Sequence, residues 1–213
     1  NWYRKGNLFY LVGAFIAFGA AFLSKENAIA ILGVIGIYIL LFEAATIKKK
    51  LIGFIPLIIL GVSAITVMFY TLTTKEGQEE TDGWGIFYED QILGNSFMGL
   101  SHLSERFSNG MYLINRYLYD FFIPTELVYY SGYNQIPIIN GFHWEVAVGM
   151  FTLIGLIVAS IVFVRRNSAL SFGVMFFLIT LSPFLQVAVL MSDTMADRFM
   201  FGPSLGLSIM VVV

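Results

Sequence analysis

Long apolar runs alternate with short polar segments along most of the chain. Six of these runs are comparable in length with the ~20 residues that a membrane-spanning helix requires. They predict spans near residues 8–23, 28–46, 51–72, 146–164, 169–192 and 199–213. The pattern is typical of an all-α polytopic membrane protein with about six transmembrane helices.

The third and fourth predicted spans are separated by a long loop, residues 73–145. A connection of this length is expected to be folded. Within it, apolar residues recur at helical spacing from Met111 to Phe122, and polar residues occupy another face. Twelve residues are too few to span a bilayer, so the segment predicts an amphipathic helix lying at the membrane surface.

Two further features of this interfacial helix follow from its sequence. Pro124 should end the helix close to Ile123, because the residue before a proline is disfavoured in the helical region. Arg116 and Asp120 are four residues apart and are therefore spaced for an ion pair along the helix.

Basic residues between the spans predict the orientation of the chain. Three clusters, at residues 4–5, 48–50 and 165–166, are expected on the cytoplasmic side by the positive-inside rule. Segments on that side carry seven basic residues and one acid, whereas the opposite side carries five basic residues and thirteen acids. Loop 73–145 is then extracytoplasmic, and its acidity excludes general nucleic-acid binding.

Composition supports the membrane assignment: 58% of residues are hydrophobic, 12% are charged, and the mean hydropathy is +0.79. Cysteine is absent, which excludes structural disulfides and thiolate metal sites. The chain starts at Asn1 and stops inside the apolar run that ends at Val213, so we expect it to be part of a longer protein.

Polar residues at the junction of the first two spans form the first candidate site. Charges at this depth are costly unless they are paired or functional. In the functional interpretation Lys25 binds a phosphate or pyrophosphate and Glu26 holds it in place. In the structural interpretation Ser24 caps the second helix, Glu26 favours its N-terminal end and Lys25 extends towards water.

The turn before the sixth span holds a second cluster, which consists of Asp193, Asp197 and Arg198. A salt-bridged turn is one interpretation, and metal binding by the two carboxylates is another. In the third, Arg198 clamps a lipid phosphate, because a planar guanidinium suits that contact. No Ser-His-Asp, His-Glu-x-x-His or phosphate-loop pattern indicates a hydrolase or a nucleotide enzyme.

Three segments, taken in order, resemble the membrane part of the transmembrane and tetratricopeptide-repeat O-mannosyltransferases and their bacterial relatives, in the glycosyltransferase C superfamily. They are residues 23–28 (LSKENA), 116–131 (RYLYDFFIPTELVYYS) and 196–206 (ADRFMFGPSLG). The chain departs from the family pattern at Asp197, where Glu is usual, and at Phe201, where Tyr is common.

The resemblance implies an inverting transferase with part of a glycosyltransferase C fold. It would move a sugar, expected to be mannose, from a polyprenyl-phosphate carrier to a protein Ser or Thr on the extracytoplasmic side. Lys25, Glu26, Arg116, Asp197 and Arg198 would contact the lipid phosphate or substrate, with Glu26 and Asp197 orienting the cations. The family's catalytic carboxylate would lie outside this chain, which alone is expected to be inactive. No metal ligand is assigned, and dependence on a divalent cation stays open.

Two other functional classes fit the same composition. A transporter-like subunit would carry ionisable residues at mid-span or a repeated pair of interrupted helices, and neither pattern is evident. A non-catalytic scaffold would use the acidic outer loop to bind a partner. A bacterial inner membrane is the favoured location, and an endoplasmic reticulum membrane is the alternative.

Overall fold

The computed structural model describes residues 8–76, 95–125, 128–129, 131–132, 134–141, 143–188, 190–191 and 193–213. The predicted basic cluster at residues 4–5 lies outside them. Regular structure in these ranges is helical, apart from one isolated antiparallel bridge between Ser131 and Met195. The chain divides into two compact units, residues 1–82 and 83–213.

Residues 8–76, the described part of the first unit, contain three long helices. They are α1 (Leu8–Ser24), α2 (Ala30–Phe42), which follows a short 3-10 helix over Glu26–Ile29, and α3 (Ile47–Glu76). Their small core is formed by Phe18, Leu32, Leu60 and Ala64. Lys50 Nζ donates a hydrogen bond of 2.7 Å to the Leu40 carbonyl, so the start of α3 is attached to the end of α2.

The second unit contains four helices in the ranges that the structure describes. They are α4 (Leu103–Phe122), α5 (Trp144–Phe163), α6 (Ser168–Leu181) and α7 (Phe201–Val212). Short 3-10 helices cover Ser96–Gly99, Ser182–Leu185 and Asp197–Met200. The core centres on the buried face of α4, with Leu113, Ile114 and Tyr117, packed against residues of α6 and α7.

Within the part of the chain that the structure describes, three helical segments are long and apolar enough to cross a membrane: Ile47–Val67, Trp144–Phe163 and Ser168–Leu185. The length and composition of these segments indicate a membrane protein. Apolar helices also form at the other predicted spans, but α1 has 17 residues, α2 has 13 and α7 has 12. Helix α2 is shorter than the ~20 residues that cross the hydrocarbon core without further adjustment, whereas α7 runs to the penultimate residue of the sequence.

The predicted amphipathic helix is present, and its end is confirmed. Helix α4 stops at Phe122, one residue before the C-cap Ile123 and two before Pro124. Its start was predicted wrongly, because it begins at Leu103 rather than Met111. The His102 N–H donates to Glu105 Oε2 (3.4 Å) and so satisfies one donor at the helix start. His102 and Glu105 thus belong to the helix cap rather than to a preceding loop.

The prediction for the fifth span was wrong at its C-terminal end. The helix does not run to residue 192: α6 ends at Leu181 and continues only as the 3-10 turn Ser182–Leu185. Gln186 follows with a φ of 57°, a left-handed conformation in which a helix cannot continue. The described residues between Gln186 and Ala196 therefore lie outside helices, and Met195 among them forms the bridge to Ser131.

Glycines allow the helices of the second unit to approach closely. A Cβ built on Gly149 of α5 would lie 2.0 Å from the Met111 carbonyl oxygen of α4. One built on Gly206 of α7 would lie 2.7 Å from the Gly173 carbonyl oxygen of α6. Gly206 is thus required for the close approach of α6 and α7, whereas a Cβ on Gly202 would find its nearest neighbour only at 4.0 Å.

Candidate functional site

Arg198 lies in the short 3-10 helix that leads into α7. Its guanidinium donates to the Asp193 carboxylate and lies over the Tyr129 ring, with 4.5 Å between Cζ and the ring centroid. The side chain keeps 35% exposure. Phe199 beside it stacks on Phe184, with centroids 4.4 Å apart, so the packed end of α6 fixes this part of the backbone. Arg198 is thus held on two sides and remains accessible.

Asp197 has a different partner from the one predicted. Its carboxylate accepts a hydrogen bond from the Val128 N–H, and its own N–H donates to the Val128 carbonyl at 3.4 Å. The Ser131 N–H donates to the Met195 carbonyl at 2.7 Å. Asp193, rather than Asp197, orients Arg198, while Asp197 attaches Val128, from the segment that follows α4, to the same turn.

Arg116 and Asp120 form the predicted pair on α4, with 3.4 Å between Arg116 Nε and Asp120 Oδ2. The Arg116 side chain is 36% exposed and that of Asp120 is 11% exposed. Arg116 Cζ also lies 5.9 Å from the Tyr119 ring centroid. A partly exposed pair of this kind contributes little stability, about 0.3–0.5 kcal/mol at most.

Tyr117 relates this pair to the Arg198 turn. The side chain is fully buried, and burial raises the pKa of its hydroxyl well above the usual value. The Ala196 backbone acts in the opposite direction and lowers that pKa, whereas the carboxylates of Asp197, Asp120 and Asp193 raise it. Tyr117 shares one hydrophobic core with Phe199 and Met200, so the two Arg–Asp pairs lie on elements of the second unit that pack together.

Lys25 and Glu26 belong to the first unit, whereas the three other predicted site residues belong to the second. Lys25 is exposed and precedes the 3-10 helix that Glu26 begins; Glu26 is described by its backbone alone. The alternative in which Ser24 caps the next helix is wrong, because the Ser24 hydroxyl donates to the Ala20 carbonyl at 2.8 Å.

A buried network of uncharged polar side chains shapes the turn that carries Asp193, and the sequence did not reveal it. Gln186 is 1% exposed, and its Nε2 donates to the carbonyls of Asp193 (3.0 Å) and Thr194 (2.6 Å). Asn95, fully buried, donates through Nδ2 to Gln186 Oε1 and to the Met191 carbonyl (2.7 Å). Gln186 was placed inside an apolar span, where an uncharged polar residue is itself an indication of a specific role.

Two other kinds of site were sought in the residues that the structure describes. Among them, no group of three or more His, Cys, Asp or Glu side chains could hold a metal ion. An apolar cavity of about 530 Å³, open on one side, lies between the helices of the first unit. It is lined by Tyr10, Phe18, Ile35, Pro56 and neighbouring residues.

Comparison of the chain with protein-family models, with curated proteins and with solved structures finds no match.

Proposed function

We propose that this chain is the membrane part of an inverting glycosyltransferase. The enzyme transfers a sugar, mannose, from a polyprenyl-phosphate carrier to a Ser or Thr hydroxyl of a protein on the extracytoplasmic side. In this proposal Arg198 binds the lipid phosphate, and the chain adopts part of a glycosyltransferase C fold.

One observation supports the proposal most strongly. The segments 116–131 and 196–206, which carry two of the three sequence resemblances, meet in space. Val128 exchanges hydrogen bonds with Asp197, and Tyr129 lies under Arg198. Residues about 70 positions apart in sequence thereby surround one accessible guanidinium.

The proposed reaction requires a cation near the phosphate oxygens on which negative charge accumulates. In an inverting transfer the acceptor oxygen forms a bond to the anomeric carbon while the bond from that carbon to the phosphate oxygen breaks. Negative charge collects on the departing lipid phosphate, and a preorganised cation stabilises it. Arg198 has five N–H donors, so its contact with one Asp193 oxygen is compatible with simultaneous phosphate binding.

Arg116 and Lys25 are further cationic residues in this proposal. Arg116 lies on α4, whose Tyr117 shares a core with Phe199 beside Arg198, and Lys25 is an exposed lysine that follows an apolar helix. Asp193 takes the orienting role that the sequence suggested for Asp197. The carboxylate that deprotonates the acceptor is not assigned to a residue of this chain.

The proposal also includes the number of membrane spans, the side of the long loop and the type of membrane. It comprises six spans, an extracytoplasmic loop 73–145, and a bacterial inner membrane as the location. Since the chain contains no cysteine, single-cysteine variants report orientation without background labelling. Ser101→Cys should react with an impermeant maleimide from outside the cell, and Asn167→Cys should react only after permeabilisation. The opposite result would invert the proposed orientation.

The function is tested by mannose transfer in membranes that contain the full-length protein. Arg198→Ala should lower transfer from a polyprenyl-phosphate mannose by about 100-fold, the typical effect of removing one preorganised donor. Arg198→Lys should retain more activity, since it keeps the charge but loses the bidentate fork. Arg166→Ala, an exposed arginine at the α5–α6 turn, is the matched control and should be neutral. Normal transfer by Arg198→Ala would overturn the proposal.

A further inference from the structure

In the described ranges, two residues other than glycine have a left-handed backbone conformation. Both hydrogen-bond to the dipeptide Asn95–Ser96. They are Asn134, with a φ of 60°, and Gln186, with a φ of 57°. The Asn134 N–H donates to Ser96 Oγ at 3.0 Å, and Gln186 Oε1 accepts from Asn95 Nδ2. Such conformations cost free energy for residues other than glycine and persist where the surroundings fix them.

The two residues with left-handed backbones adjoin the two segments that form the Arg198 site. Asn134 follows the segment that supplies Tyr129 and Ser131, and Gln186 starts the turn that supplies Asp193. Asn95 and Ser96 therefore connect two segments that are distant in sequence. Ser96 accepts a hydrogen bond from Asn134, just beyond the segment of Tyr129 and Ser131, and Asn95 donates one to Gln186, which precedes Asp193. Thr194 Oγ1 completes the connection, because it donates to Asn95 Oδ1 and accepts from the Ser96 N–H, each at 3.1 Å.

Gln186 uses the hydrogen-bonding capacity of its amide fully. Its Nε2 donates to two carbonyls, those of Asp193 and Thr194, and its Oε1 accepts from Asn95 and from the Met191 N–H at 3.2 Å. One side chain thus connects Gln186 to Met191, Asp193 and Thr194. The carbonyl of Asp193 is held directly, so the Asp193 side chain leaves the backbone from a fixed position.

We propose that Gln186 and Asn95 are positioning residues, which hold Asp193 where it orients Arg198 for an anionic phosphate ligand. The inference rests on the proposed function of Arg198 as a phosphate ligand. It predicts that shortening the Gln186 side chain weakens phosphate recognition through Arg198, although Gln186 itself touches no ligand.

Gln186→Asn isolates the side-chain contacts. Asparagine tolerates a left-handed backbone as well as any residue that has a side chain, but it is one methylene too short to reach both carbonyls. The probes are farnesyl phosphate and farnesol, whose binding to the full-length protein in nanodiscs is measured by competition. Farnesol shares the hydrocarbon chain and lacks the phosphate, so the ratio of the two affinities reports phosphate recognition.

We expect Gln186→Asn to reduce that ratio about tenfold, consistent with misplacement of a binding group by a fraction of an ångström. Asn109→Asp is the matched control. Asn109 is equally buried, and its side-chain hydrogen bonds go to the Glu105 carbonyl (2.9 Å) and, both ways, to the Ile139 backbone (2.9 and 3.1 Å) rather than to Gln186 or Asp193. This variant should lower thermal stability and leave the affinity ratio unchanged.

A double-mutant cycle separates positioning from general destabilisation. In an Arg198→Ala background, Gln186→Asn should not lower the ratio of the two affinities further, because Gln186 acts through Arg198. Equal losses in both backgrounds, or an unchanged ratio in the single variant, would overturn the positioning role. If Gln186→Asn does not fold, Asn95→Asp replaces it, since it removes the donation to Gln186 and keeps the Oδ1 contacts with Phe97 and Thr194.

Failure of the proposed function gives a different result. If the wild-type protein binds farnesyl phosphate and farnesol equally, or if Arg198→Ala keeps the wild-type ratio, the phosphate site itself is wrong. A large loss in Arg198→Ala together with a wild-type ratio in Gln186→Asn leaves the site intact and removes only the inference about Gln186.

Discussion

Substitution of Gly149 by alanine tests how closely α4 and α5 are packed. The new Cβ would lie 2.0 Å from the Met111 carbonyl oxygen and 2.6 Å from the Met111 carbonyl carbon, and both atoms belong to the α4 backbone. Ordinary contacts of a Cβ atom start at 3.4 Å. The two helices must therefore separate by more than about 1 Å, since no flexible side chain can yield, and interiors tolerate such shifts poorly.

Overpacking of a well-packed core costs about 1–3 kcal/mol, and a clash between two backbones belongs at the upper end of that range. For a chain of this size, about 3 kcal/mol corresponds to a decrease in Tm of roughly 6–12 °C. The assay is thermal unfolding of the detergent-solubilised protein, followed by size-exclusion chromatography after heating. Mannose transfer by the same variant should fall in parallel, because α4 carries Arg116.

Gly155→Ala is the matched control for this prediction. It lies on the same helix, where a Cβ would meet nothing within 4 Å among the described residues. Alanine favours a helix over glycine by about 1 kcal/mol, so the control should be neutral or slightly stabilising. If Gly149→Ala and Gly155→Ala have the same Tm, the close approach of α4 and α5 is incorrect.

Three further predictions concern the second unit. Gly206→Ala should destabilise the protein, because its Cβ would lie 2.6 Å from the Phe177 N, whereas Gly202→Ala should be tolerated; equal Tm values would contradict the α6–α7 packing. Arg116→Ala should change unfolding by no more than about 0.5 kcal/mol, since the ion pair with Asp120 is partly exposed, and a loss of several kcal/mol in denaturant titrations would refute that estimate. Stability should fall as the pH rises above 10.0, the ordinary tyrosine pKa, because the unfolded chain then loses a proton that buried Tyr117 keeps; Tyr117→Phe should reduce this alkaline loss, and unchanged pH curves would contradict it.

Local sequence signals predicted part of this fold. Hydrophobic periodicity located α4, and Pro124 gave its end to within one residue. Its first two turns were not predicted, although Leu103 and Phe107 extend the apolar pattern of Met111 towards the N-terminus at four-residue spacing. Apolar runs likewise indicated where helices form, but did not indicate that α2 is shorter than a bilayer requires.

The candidate site was harder to predict, since its geometry depends on contacts between distant residues. Arg198 could be singled out from its charge and position next to an apolar run. Its partner could not, because the choice of Asp193 over Asp197 follows from a turn that Gln186 closes. Gln186 and Asn95 meet across 91 positions of sequence, and no local pattern contains both.

The most direct test of the account is to map where the lipid phosphate binds. A farnesyl phosphate analogue with a photoreactive group beside the phosphate would be crosslinked to the full-length protein in membranes, and the modified peptides identified by mass spectrometry. We expect adducts around Tyr129 and in residues 193–199, reduced by excess farnesyl phosphate and by Arg198→Ala. Adducts confined to other segments, or labelling that Arg198→Ala leaves unchanged, would contradict the assignment of Arg198 as the phosphate ligand.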